Sequence, residues 1–280
     1  MKHSIPLSNY NITRTRSIDE VREGLARVYA KPILEPVGAT KELNAILNHC
    51  QLQHISINYS AYGAAVHIEF PAVDQFVQLM HVGGAGTIIN GNTSVPLVAD
   101  RGALISPDMG YKANYDDTCA RIVLLIDPQV LTAKLETLIG ATIDKPLRMG
   151  PSTDFTRPGT KALQEYLPLL INTLNTANEP LPNWWISQTE QLLMVMYLFA
   201  HRHNYTHLLQ QEPTDAATFQ VRRAEEYIEA NWQNPVSLEA LAKVSGVSAF
   251  SLFRTFKMIR GYSPFEFASM VRWKRKGKHS

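Results

Sequence analysis

The chain has 280 residues, 45% hydrophobic and 19% charged, which gives room for two globular domains that each bury a core. That composition excludes a disordered or fibrous chain, and no apolar run approaches a membrane span or forms the h-region of a secretory leader. The net charge of +2 hides an asymmetry. Phe219 to Ser280 carry +6 and the preceding 218 residues −4, so a basic C-terminal piece follows a mildly acidic body.

In chain order, residues 1–16 lack periodicity and read as an arm. Ser17-Ile18-Asp19-Glu20 is a capping box opening a helix to about Ala30. From Leu52 the hydrophobic period changes to two. QLQHISINYS, AAVHIEF, QFVQLMHV, GTIIN, TSVPLV, GALIS and RIVLLID are short strand candidates. Asn90-Gly91 is the strongest hairpin signal, and Asp100-Arg101-Gly102 and Pro107 to Gly110 mark further turns. Many short strands at close spacing predict a small barrel or sandwich over residues 50–127. After Pro128, VLTAKLETLIG, PGTKALQEYLPLLINTLN and WWISQTEQLLMVMYLFAHR predict three helices. The last is so apolar that it belongs in a core or an interface. The boundaries expected are 1–207 for the first domain, 208–216 for a linker and 217–280 for the second.

Within the second domain, Ser237 is a good N-cap, Glu239 complements the helix dipole, and Leu238, Leu241, Ala242 and Val244 give an apolar side. Gly246 supplies the positive φ needed to leave a helix, and Ser248 caps a second one running to about Arg260. Two helices about such a turn form the helix-turn-helix pattern. Ala249, Leu252, Phe256 and Ile259 should face the core. Phe250, Phe253, Arg254 and Lys257 form the opposite stripe. Cations beside apolar rings suit a DNA groove, where guanidinium reads guanine and Lys neutralises phosphate. The alternative is a packing helix whose stripe docks on other protein.

Leu241-Ala242, Gly246-Val247-Ser248, Leu252, Arg254, Phe256-Lys257, Gly261, Ser263-Pro264 and Phe267 resemble the DNA-binding domain of AraC/XylS-type transcription regulators. The resemblance implies base contacts from the positions of Phe250, Phe253 and Arg254. Family members often have a polar residue where Phe253 stands. It also implies a linking helix, matched by Tyr262 to about Arg275, and a second helix-turn-helix. The chain stops at Gly277-Lys278-His279-Ser280, before that motif. The β-rich segment, with AVDQFVQLMHVGGAGTIINGNTSVPLVADRGALISPDMGYKANY, resembles the cupin-like sensory domain of the same regulators. WWISQTEQLLMVMYLFAHRHNYTHLL is similar to the XylS and benzoate-regulator branch, which implies a small aromatic carboxylate as effector. The expected fold class is α+β: a cupin-like barrel with flanking helices, then an all-α domain holding the first motif only.

Metal-binding cupins use H-x-H, then Glu and a later His. His54, His67 with Glu69, and His81 do not form that pattern, though a facial triad could assemble in space. His201 and His203 form H-x-H on or beside a helix, where residues two apart diverge. His203 and His207 lack the general base of a metalloprotease motif. No nucleophile elbow, P-loop or dinucleotide fingerprint occurs, and Gly83 to Gly86 reads as a turn. Neither catalysis nor a cofactor is expected. Cys50 and Cys119 fit inert thiols in a reducing compartment, hence the cytoplasm.

An aromatic-acid pocket needs apolar walls and a cation. His81 is in phase with Val77 and Leu79, and Arg121 with Val123 and Leu125, so both can point inward. Arg14 and Arg16 are rivals, because in relatives the arm can close over the effector. The expected protein is an effector-responsive, dimeric activator of a promoter, paired through the 127–205 helices and acting with RNA polymerase. Arg254 would specify a base. Lys257, Arg272, Lys274, Arg275 and Lys276 would hold phosphates, Phe250 and Phe253 would fill the groove, and Ser248 and Ser251 would lie at the DNA beside them. The alternatives are a truncated sensor or dimerisation partner that binds DNA weakly, and a metal-dependent cupin enzyme.

Overall fold

A computed structural model describes residues 5–29, 31–38, 42–139, 142–177, 179–209 and 215–276. Ala30, most of the expected linker (210–214) and the tail 277–280 lie outside the described residues. The chain divides into two compact units, Met1–Lys134 with Lys145–Thr206, and Leu135–Asp144 with His207–Ser280.

The first unit contains β1 (Asn11–Thr15), α1 (Ile18–Ala26), β2 (Ile33–Pro36), β3 (Ala45–Gln51), β4 (Ile55–Ala61), β5 (Val66–Val73) and β6 (Phe76–Gly83). There follow β7 (Gly86–Asn90), β8 (Thr93–Leu97), β9 (Arg101–Ile105), β10 (Met109–Tyr115) and β11 (Ala120–Ile126). The helix α2 (Pro128–Ile139), whose residues from Leu135 are assigned to the second unit, is followed by β12 (Ser152–Asp154), α3 (Pro158–Thr176), α4 (Asn183–Ala200) and the short α5 (Thr206–Leu209), which is assigned to the second unit from His207.

The strands form two antiparallel sheets, ordered β1-β3-β4-β11-β6-β9-β12 and β2-β5-β10-β7-β8. Their inward residues make one core. Leu47, Val77, Leu79, Ala103, Val123 and Leu125 come from the first sheet, Leu34, Ile68, Phe70, Ile88, Tyr111 and Tyr115 from the second. Alternation along each strand puts every second side chain there. Gly102 is required on β9, because a Cβ there would run into the Leu79 carbonyl and the Phe155 ring. The expected arm is a strand: Arg14 pairs with Ile46 and Thr15 with Ala45. A short edge strand with one apolar residue takes its order from its neighbour's unpaired backbone rather than from its own pattern.

Helix α4 buries Glu190, Leu193, Met194, Tyr197 and Leu198. Glu190, 1% exposed, accepts hydrogen bonds at Oε1 from the backbone N–H groups of His54 (2.6 Å) and Ile55 (2.8 Å), which fastens α4 to the start of β4. Its other face is open, with Trp184 68% and Phe199 59% exposed. At its C-cap, His201 is buried, donates from Nδ1 to the Tyr197 carbonyl at 2.8 Å and lies on the Tyr197 ring. Burial pulls its pKa down to about 4 from 6.5. The unfolded chain therefore binds the extra proton between those values. The native state keeps its full stability above pH 6.5 and loses roughly 3 kcal/mol of it as the pH falls toward 4. His201→Phe keeps the ring, and the His201 backbone N–H still caps Tyr197. Urea unfolding from pH 7 to 4 should be shallower for the variant by that amount; parallel pH profiles would contradict it.

The second unit holds α6 (Asp215–Ala230), α7 (Leu238–Ser245), α8 (Ala249–Arg260) and α9 (Pro264–Lys276) around Val221, Ala224, Ile228, Leu241, Leu252, Phe256 and Ala268. The expected caps are present. Ser237 Oγ accepts from the Ala240 N–H, Gly246 turns at φ +71, and Ser248 Oγ accepts from the Ser251 N–H. Arg260 forks onto Glu225 at 2.7 and 2.8 Å, which fixes α8 to α6.

Candidate functional site

Two places concentrate unusual chemistry, one in each unit. In the barrel, β11 presents Arg121 opposite Ser60 on one side and His81 on the other. Directly opposed residues share a sheet face, and this face carries the core residues Val123, Leu125, Val77 and Leu79. Arg121 is 2% exposed. Its guanidinium lies 3.7 Å from the centre of the Tyr115 ring and 4.6 Å from that of Tyr62. The two rings are 6.1 Å apart. Phe70 and Tyr111 stack at 4.5 Å nearby in the same core, with Tyr29 edge-on to Phe70 at 5.2 Å.

This arginine has no acidic partner among the described residues within ion-pair distance. The guanidinium lies within reach of the Tyr62 oxygen and the Cys119 sulfur, but Nη1 of Arg121 and the hydroxyl protons of Tyr62 and Tyr115 find no well-aligned acceptor there. Burial raises the pKa of Tyr62, Tyr111 and Tyr115, and of the Cys119 thiol beside them, so these groups are neutral. For Arg121 burial opposes the charge, but a guanidinium titrates so far above neutrality that it stays protonated. The result is a buried cation inside an aromatic box with no counter-charge among the described residues, a costly arrangement unless an anion completes it.

The other expected contacts divide by strand phase. His81 stands opposite Arg121 on the inward face, but it is only half-buried and Nε2 meets the Gly84 carbonyl at 2.7 Å. Arg14 is not brought to the box: it pairs with Ile46, one residue out of step with the inward Thr13–Leu47–Ser60–Arg121 row, so it projects from the opposite face. Arg16 lies just past the end of β1 and is exposed, apart from the box as well. Tyr62 and Tyr115 were absent from the expected set. The signal for Tyr115 is the alternation Tyr111-x-Ala113-x-Tyr115, partly hidden because its inward residues are only moderately apolar. Tyr62 just follows β4 and carries no comparable signal.

The metal candidates do not converge. His67 lies on the outward face, with Nδ1 at 2.7 Å from Asn114 and Nε2 at 3.3 Å from Glu69, which Lys112 also pairs. Among the described residues no three His, Cys, Asp or Glu side chains meet as a metal site. An open groove of about 680 Å³ beside Phe76, Thr132 and Met149 has Arg148 as its cation, and that side chain is exposed.

The second place is α8. Phe250 is 67% exposed and Lys257 is also exposed. Two members of the expected stripe differ. Phe253 is half-buried, with its ring 6.5 Å from Phe265 of α9, and Arg254 is partly buried, which lowers its pKa. Helix α9 covers that side of α8, so the outward edge is narrower than the helical period predicts. Ser248 is engaged as the cap, while Ser251 is half-buried. Lys274, Arg275 and Lys276 are exposed on the last turn of α9 with Arg272 just inside them, and Arg275 lies 5.9 Å over Trp232.

The family described as the AraC-binding-like domain matches residues 21–198. The crystal structure of the AraC-like transcriptional activator CuxR is similar in fold, with a TM-score of 0.53 at 15% identity over 95% of this chain and 93% of that one. The EutQ protein of Clostridium difficile (TM-score 0.26, 8% identity, 30% of this chain and 69% of that one) is too distant to carry an argument. The same holds for the Schizosaccharomyces pombe Cnp3 cupin domain (TM-score 0.28, 7% identity, 32% and 66%). No protein of curated function matches the chain in sequence.

Proposed function

We propose that this chain, which belongs to the AraC-binding-like domain family, is a DNA-binding transcription regulator answering to a small aromatic acid taken up by its barrel. The observation that carries the reading is the capped pair α7–α8, with an exposed apolar and basic edge on the second helix. Such a helix presents base-reading and phosphate-binding groups together. Arg254 reads a base. Lys257, Arg272, Lys274, Arg275 and Lys276 hold phosphates, and Phe250 meets the groove. The barrel supplies Arg121 as the cation for the acid. The protein acts as a cytoplasmic activator, as a homodimer at a promoter with RNA polymerase, and has no catalytic role.

A test begins by selecting genomic fragments that the purified chain retains, with and without benzoate-type acids. On the selected site, Arg254→Ala should weaken specific binding by about 1–3 kcal/mol and relax sequence preference, while binding to random duplex changes little. Equal loss on both duplexes would contradict a base-reading role. A second reading is a sensing and dimerising partner with weak DNA binding of its own. It is favoured by the partial burial of Phe253 and Arg254, which leaves α8 fewer side chains to reach bases. Retention of no fragment by a folded, acid-binding protein would select it.

A further inference from the structure

We infer that Arg121, Tyr62 and Tyr115 form one clamp for the acid group of the barrel's ligand, and that this ligand is a monoanionic carboxylate with a flat body. The inference rests on the effector reading above and adds the residues and the charge of the ligand.

Three buried groups with unmet donor capacity adjoin one another: Arg121 Nη1 and the hydroxyls of Tyr62 and Tyr115, whose O–H protons have no acceptor among the described residues even though the Tyr62 oxygen lies within reach of the Arg121 guanidinium. Buried donors are left unpaired rarely and at a cost, so three at one place mark an acceptor site. A carboxylate offers two oxygens with about four lone-pair positions in one plane, enough for all three. A neutral amide or a hydroxyl offers fewer acceptors and no charge.

Charge balance narrows the ligand further. The tyrosines and Cys119 are neutral, so the box holds a single positive charge. A monoanion cancels it. A dianion such as a phosphate monoester would leave one negative charge in a dry interior, where an unpaired ion is strongly disfavoured. The Phe70–Tyr111 stack and Tyr29 supply aromatic faces in the same core, which favour a planar body. His81 is held at the Gly84 carbonyl and is not needed for the clamp.

The test uses calorimetric titration of the full chain, without DNA, with benzoate, phenylacetate, benzamide and phenyl phosphate. A monocarboxylate should bind, and benzamide and phenyl phosphate should bind at least about tenfold more weakly. Tyr115→Phe is nearly isosteric and should cost about tenfold in carboxylate affinity, because one hydrogen bond to a charged group is lost. Arg121→Met should cost about 100-fold or more. Near-UV circular dichroism of both variants checks that the core is kept. Equal binding of benzoate and benzamide, unchanged affinity in Arg121→Met, or no binding by either carboxylate would overturn the inference. A folded protein that binds a neutral ligand and then DNA would sink the clamp but leave the regulator reading standing. Carboxylate binding without any DNA binding would do the reverse.

Discussion

Arg121→Met is expected to make the ligand-free protein more stable than the wild type, by about 1–4 kcal/mol. The guanidinium is buried, and among the described residues it has no counter-charge and its Nη1 no well-aligned acceptor. An ion withdrawn from water in this way costs several kcal/mol. Two cation–π contacts, to Tyr115 and Tyr62, return roughly 0.5–2 kcal/mol each and do not close the gap. Methionine ends short of the guanidinium but carries no charge and adapts well against rings, so it keeps part of the aromatic packing, and the void it leaves offsets only part of the penalty it removes. In urea, the midpoint should rise with an unchanged slope. A loss of comparable size would mean that the aromatic contacts outweigh burial. The arginine would then be part of the core's own stability, and the case for an acceptor site beside it would fail. Gaining stability while losing ligand affinity is the pattern of a residue kept for binding.

What could be read from residue order alone depended on whether the signal was local. The α7–α8 pair was legible to the residue, since Ser237, Gly246 and Ser248 act on their own neighbours. β4 to β9 and β11 were legible as strands from their alternation, with ends up to four residues from the expected ones. β1, β2, β3, β10 and β12 escaped, because short or weakly apolar strands are ordered by partners far along the chain. The same divide runs through the site. Arg121 was in phase with Val123 and Leu125 and does face inward. That Tyr62 and Tyr115 enclose it follows from how the two sheets face each other. The position of Arg14 depends on its pairing with Ile46, invisible before β3 is known. Phe253 shows the limit for helices: periodicity marks a face as free of its own helix's core, but cannot show that α9 brings Phe265 against it.

Replacing Leu192 and Phe199 together by Glu is expected to lower DNA affinity about 10²–10⁴-fold without touching a residue of either site. Leu192 and Phe199 lie on the open face of α4, spaced eight and fifteen residues after Trp184 and so on one side of the helix. Leu169 of α3 is exposed as well. The only charged residue in α4 is Glu190, and it is buried, so the exposed strip is apolar and uncharged. Such a strip suits a self-complementary contact with a second copy, where no charge meets its like across the two-fold axis. The described residues of each chain offer one α7–α8 pair, and half-buried Phe253 and Arg254 make its contacts few. On the homodimer proposed above, tight binding depends on two copies engaging two half-sites at once. Breaking the pair returns each copy to its own weak affinity. Because both side chains are exposed in the single chain, the variant should stay folded and bind the carboxylate as the wild type does, while its melting temperature falls by what dimerisation contributed. Sedimentation should show the wild type as a dimer and the variant as a monomer. A monomeric wild type, or a monomeric variant that holds DNA as tightly as before, would locate the missing affinity in the chain's own recognition helix instead.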